Sequence, residues 1–154
     1  MLGRTYDGQV CSVARALEAV GERWTLLIVR DALQGTTRFD DFLAGLGVAR
    51  NVLAVRLNGL VENGILERVR YQERPERFEY LITPKGRALA PVIVSLMQWG
   101  DTYLAGTDRP PRTMEHTGCG GHVRSRMVCD ACGDEVPGGE VILTSLLAPA
   151  AVPA

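Results

Sequence analysis

The stretch "VARNVLAVRLNGLVENGIL", residues 48–66, decides the fold. Val52, Leu53, Leu57, Leu60 and Val61 recur at steps of three and four. That spacing lines apolar side chains along one side of an α-helix. The other side carries Arg50, Asn51, Ala54 and Asn58, with Arg56 at its edge, and is largely cleared of acids. Surface helices usually mix both signs of charge. A face of forked cations and amides instead suits a nucleic acid, because arginine pairs with guanine edges and asparagine with adenine edges. Gly64 ends the helix, since glycine enters the left-handed region cheaply. Gly59, inside it, costs roughly 1 kcal/mol relative to alanine, and close packing or a slight bend is the expected reason for it.

Upstream of this helix lie three more candidates. "CSVARALEAVG" (11–21) places Val13, Ala16, Leu17 and Val20 on one face and stops at Gly21. "RWTLLIVRDALQG" (23–35) continues the helical period through Trp24, Leu27, Ile28 and Ala32. In "TTRFDDFLAGLG" (36–47), Thr37 is the expected cap of a short helix with Phe39, Phe42 and Leu43 inward. Downstream, "ILERVRYQ" and "RFEYLIT" are β-branched and aromatic with partial alternation, and "ERPE" between them is a turn. Arg68, Arg70, Arg74 and Arg77 decorate this hairpin. Thr83 and Pro84 then open a long helix whose stripe is Leu89, Val92, Ile93, Leu96, Trp99 and Tyr103.

The order of elements implies a mainly α fold with a small β-hairpin wing, a winged helix-turn-helix. The major groove is about 12 Å wide and admits one helix, whose N-terminal residues reach base edges. Arg50 and Asn51 occupy that first turn, and Arg74 and Arg77 near the wing tip would meet phosphates. The 154 residues suit such a domain, residues 1–106, with an appendage. "GTDRPPR" reads as a linker over 107–113, followed by a Cys/His stretch at 114–136 and an apolar tail at 137–154. No internal repeat is apparent.

Formal net charge is −1, so a basic surface must be local. From Arg50 to Arg87 eight bases face five acids, a modest excess. Sixteen of the seventeen bases are arginine, which reads as codon bias. The N-terminus has no leader-like apolar run, and "APVIVSLM" is far too short to cross a bilayer. A cytoplasmic protein without a membrane partner is expected, and its four cysteines are expected to be reduced.

From Cys11 to about Gly106 the chain resembles the HxlR-type winged helix-turn-helix regulators. The matching stretches are "CSVARALEAVGERWTLLIVRDAL", "TRFDDFLAGL", "NVLAVRLNGLVENGILER" and "FEYLITPKGRAL", then "LMQWG". The resemblance implies a transcription regulator that binds pseudo-palindromic double-stranded DNA as a homodimer, with the first and the long C-terminal helices forming the dimer. It also allows a small-molecule effector or a redox input. The candidate DNA contacts are Thr37, Arg38, Arg50, Asn51, Ala54, Arg56 and Asn58, with Arg74 and Arg77. Two positions depart from the family. Ser12 replaces the common proline, and Ala54 replaces a serine or threonine whose hydroxyl would reach phosphate.

Cys11, at the start of the first helix, lies where backbone amides favour a thiolate. Some relatives use this position as a redox or electrophile switch. The alternative is a small buried hydrophobe at a dimer interface.

"HTGCGGHVRSRMVCDACG" (116–133) holds His116-x2-Cys119 and Cys129-x2-Cys132, each followed by glycine. This spacing presents four ligands tetrahedrally to a structural zinc ion in a zinc-ribbon-like extension. His122 is the alternative to His116, and a bare dithiol or a redox pair is the alternative to metal. No nucleotide-binding, hydrolase or metalloprotease motif is present, so no enzyme is expected. The non-DNA reading is a winged, zinc-tailed interaction or sensor module.

Overall fold

The computed structural model describes residues 5–6, 11–104 and 112–144. The chain divides into two compact units, Met1–Pro111 and Arg112–Ala154. The first is built from α1 (Ser12–Val20), α2 (Thr25–Leu33), α3 (Phe39–Leu46), α4 (Arg50–Glu62), β1 (Leu66–Glu73), β2 (Glu76–Ile82), α5 (Pro84–Arg87) and α6 (Ala90–Tyr103).

The core gathers on α4. Leu53 and Leu57 are wholly buried and Leu60 is nearly so. Each contributes about 2 kcal/mol by leaving water. They meet Ile28 and Val29 of α2, Phe42 of α3, and Ile65, Leu66 and Tyr80 of the hairpin. Val52 and Val61 are half-buried at the edge of this stripe. The end of α4 follows from local chemistry. Asn63 is its C-cap and Gly64 turns left-handed at φ 66°. The Ile65 N–H then donates to the Leu60 carbonyl, closing the reverse turn that starts β1.

The hairpin is antiparallel, from Leu66 opposite Ile82 to Glu73 opposite Glu76, with a bulge between Arg70 and Gln72. Its base is docked on the entry to α3. The Tyr80 N–H donates to the Thr37 carbonyl at 2.8 Å, and Arg38 bridges Glu79. Thr37 is therefore not the cap of α3. The helix begins one residue later with Arg38 at the N-cap, because the Thr37 backbone is engaged by the wing.

Two further expectations change. Trp24 is not inside α2; it stands at its N-cap with φ 79°. The long helix after Thr83 is in fact two pieces. Thr83 caps α5, accepting from the Gly86 N–H at 3.1 Å, but the helix stops at Arg87 and α6 starts at Ala90. Pro91 explains the break: it has no N–H for the Arg87 carbonyl, and its ring clashes with that carbonyl in a continuous helix. Gly86 has its own reason. A Cβ there would lie 2.3 Å from the Ile65 carbonyl oxygen and 2.7 Å from Ile82.

The apolar stripe of α1 is mostly uncovered. Ala14 and Val20 are buried, while Val13 is 64% exposed and Leu17 39%. On α6, Ile93 and Val94 are buried, but Val92, Leu96, Trp99 and Tyr103 are exposed. Among the described residues no helix is long and apolar enough to cross a membrane.

Candidate nucleic-acid interface and the cysteine knuckles

The outer face of α4 presents Arg50, Asn51, Val55 and Asn58, with Asn51, Arg50 and Val55 exposed and Ala54 half-buried beside them. No side chain caps α4, so its first-turn amides stay open to an anion. Asn51 and Asn58 make no side-chain hydrogen bond among the described residues, which leaves their amides available. Arg50 is held but not hidden. Its guanidinium pairs with Asp40 at 3.1 Å and lies 5.1 Å from the Phe39 ring centroid. Both partners of the ion pair are largely solvated, so the pairing is weak.

Val55 is absent from the set of contacts that the sequence suggests. It is 61% exposed among the polar groups of this face. An apolar side chain there suits a thymine methyl group in the major groove. Its place outside the leucine stripe is the signal that marks it.

Arg56 is more enclosed than Arg50. It is only a quarter exposed; its guanidinium pairs with Glu22 at 2.6 Å and donates to the Arg23 carbonyl at 3.2 Å. It fastens α4 to the turn between α1 and α2.

On the wing, the arginines divide by partner. Arg70 pairs with Glu76 at 3.4 Å, and Arg68 stacks 3.5 Å from the Phe78 centroid. Arg38, from the α3 entry, sits over Tyr71 and within 3.7 Å of Glu79. Arg74 and Arg77 are exposed and have no side-chain partner among the described residues. A groove of about 460 Å³ runs between the wing and α3–α4, lined by Phe39, Arg50, Tyr71, Arg77 and Phe78 among others. Thr37 is half-buried, its carbonyl already used by Tyr80.

Cys11 is the N-cap residue of α1. The backbone amide of Ala14, then that of Val13, holds its thiol below the ordinary range, with a smaller contribution from Arg15 against some desolvation.

In the second unit each Cys/His pair forms a tight knuckle. The His116 Nδ1 lies 3.2 Å from the Cys119 Sγ. The amides of Cys132 and Ala131, together with the Cys132 thiol, lower the pKa of Cys129. Each pair is thus assembled, but among the described residues no three His, Cys, Asp or Glu side chains gather where one ion would sit.

Known proteins share this architecture. Residues 19–108 match the HxlR-like helix-turn-helix family. An uncharacterized HTH-type transcriptional regulator of Mycobacterium tuberculosis is 48% identical over 135 residues, 88% of this chain and 84% of its own. The crystal structure of the candidate transcription factor PA1607 superposes with a TM-score of 0.78 at 37% identity, covering 90% of this chain and 97% of that one. PA1374 of Pseudomonas aeruginosa, also described as a candidate transcription factor, gives 0.63 at 42% identity over 92% and 95%. The oxidized redox regulator HypR gives 0.55 at 28% identity over 60% of this chain and 96% of its own. An arginine–asparagine helix face beside an arginine-tipped wing, on a domain matched over residues 19–108, leads to one conclusion: the chain belongs to the HxlR-like helix-turn-helix family of DNA-binding transcriptional regulators.

Proposed function

We propose that the protein works in the cytoplasm as a homodimer on a pseudo-palindromic operator, with one α4 in the major groove of each half-site. The observation that carries the reading is the outer face of α4, where Arg50, Asn51, Val55 and Asn58 lie together. Arg50 would leave Asp40 for a guanine edge, Asn51 would take an adenine edge, and Val55 a thymine methyl. Arg74 and Arg77, without side-chain partners among the described residues, would hold phosphates on either side of the wing and set register without reading sequence.

The uncovered stripes of α1 and α6 support the dimer. Val13, Leu17, Val92, Leu96, Trp99 and Tyr103 are all exposed apolar side chains, and apolar surface of this kind marks an interaction site when it is contiguous. A two-fold partner would cover it and set two recognition helices about 34 Å apart. Cys11 sits at the start of α1, beside this stripe, and the amides that favour its thiolate fit it for a redox input to the dimer.

Selection of bound duplexes from a random pool tests the reading. The expected product is a two-fold motif whose half-sites are one helical turn apart and which carries two chains. No enriched motif and no salt-dependent affinity for DNA would overturn it and favour the winged interaction module.

A further inference from the structure

No internal repeat is apparent in the sequence alone, yet the backbone of the extension contains one. Residues 114–123, "MEHTGCGGHV", and 127–136, "MVCDACGDEV", share one pattern at an offset of thirteen residues. The His116 N–H donates to the Gly121 carbonyl at 2.8 Å, and the Cys129 N–H donates to the Asp134 carbonyl at 2.9 Å. The N–H groups of Gly120 and Gly133 donate to the carbonyls of His116 and Cys129, both at 2.8 Å. Val123 donates to Met114 as Val136 donates to Met127. Gly120 and Gly133 are both left-handed, at φ 70° and 77°. Even the isolated bridges correspond, Glu115 with His122 and Val128 with Glu135.

This equivalence separates the positions that carry ligand chemistry from those that do not. His116 occupies the place of Cys129 and Cys119 that of Cys132, so each knuckle offers donors at its first and fourth positions. His122 occupies the place of Glu135, outside the turn, where the other copy has no thiol.

A second observation is independent of the repeat. Among residues 112–144 none is buried; Met114, Ser125, Cys129 and Val136 are half-buried and the rest are exposed. Two well-formed turns thus stand without an apolar core. Hydrogen bonds open to water contribute only about 1 kcal/mol each and do not offset the ordering of about thirty residues. A structural metal ion is one of the staples that small units without a core use, beside disulfides and association with another chain, and all three cysteines here are free of disulfides.

We propose that the two knuckles jointly hold one zinc ion through His116, Cys119, Cys129 and Cys132. The donor set suits a closed, four-coordinate structural site. The ion supplies what the described residues lack, a common centre for the two pairs, and its binding energy takes the place of a core.

The test uses the full chain, purified without added metal. One zinc per chain is expected by elemental analysis. Exchange for cobalt(II) should produce the intense visible bands of a tetrahedral ion and thiolate charge transfer. His122→Asn should keep both signals. His116→Cys should keep the ion because it copies the second knuckle onto the first, whereas His116→Ala and Cys129→Ser should lose it. Chelation should open residues 112–144 to protease while the winged unit keeps its helical circular dichroism, which separates loss of metal from general unfolding. A metal-free protein with three alkylatable extension thiols, or with a Cys129–Cys132 disulfide, would overturn the proposal. So would loss of zinc in His122→Asn with retention in Cys129→Ser.

Discussion

Arg56 and Asn51 lie on one helix and differ in their partners: Arg56 pairs with Glu22, while the Asn51 amide has no side-chain hydrogen bond among the described residues. Helical periodicity puts Arg56 at the edge of the polar face; it cannot reveal that Glu22, thirty-four residues away, takes the guanidinium. We expect Arg56→Ala to lower stability and to leave discrimination between DNA sequences intact. A double-mutant cycle with Glu22→Gln, read by thermal unfolding, should give a coupling of about 0.5–1 kcal/mol, given how exposed Glu22 is. Unchanged unfolding together with lost specificity would return Arg56 to the DNA. Cys11 is legible by position, since any residue opening a helix meets free amides, and the amides of Ala14 and Val13 fill that role. Its folded pKa lies below the unfolded value, so the thiolate persists to lower pH in the native chain. Peptide-mapped alkylation across pH should therefore show a lower midpoint for Cys11 in the native than in the urea-unfolded protein; coincident midpoints would contradict the effect of these amides.

At the scale of elements, two glycines that look alike in sequence behave differently. A methyl carbon added at Gly59 would meet nothing within 4 Å, so close packing is not its reason. Gly59→Ala should raise stability by about 0.5–1 kcal/mol. One added at Gly86 would lie less than 3 Å from the Ile65 carbonyl oxygen and from Ile82, and Gly86→Ala should cost about 1–3 kcal/mol as the hairpin base shifts. Denaturant melts of both variants would check the pair, and equal signs would contradict the packing described. The order of helices and wing is legible in sequence because each segment carries its own period and its own stop signal. The division of α5 from α6 is legible only in part: Thr83 and Pro84 announce a start, while Pro91 sits inside an otherwise continuous apolar period that hides the break it imposes. The stripes of α1 and α6 are plainly apolar, but no sequence period says whether a face meets its own chain or another. Val92→Asp or Leu96→Asp, placed on residues already exposed in the single chain, should keep its helical circular dichroism, yield monomers in light scattering at micromolar concentration and abolish DNA binding. A dimer that survives both substitutions would move the interface elsewhere.

The whole molecule has a net charge of only −1, so any DNA affinity depends on where the arginines lie rather than on how many there are. Ion pairs internal to the protein hold Arg38, Arg50, Arg56 and Arg70, while Arg74 and Arg77 have no such partner among the described residues. This selection is invisible in composition, because it depends on which acid folds beside which base. The repeat in the extension is hidden for a related reason. Its two copies share few identities, and the likeness resides mainly in backbone hydrogen bonds. The central claim is that α4 reads bases while the wing tip holds the backbone. Affinities of the parent, Asn51→Ala and Arg74→Ala, each measured on a selected operator and on a random duplex over a range of salt, test it most directly. Asn51→Ala should lose about 1–3 kcal/mol on the operator and almost nothing on random DNA, with the salt slope unchanged. Arg74→Ala should weaken both duplexes alike and reduce the salt slope by about one unit per chain engaged. Equal losses on the two duplexes for Asn51→Ala would contradict base reading by α4.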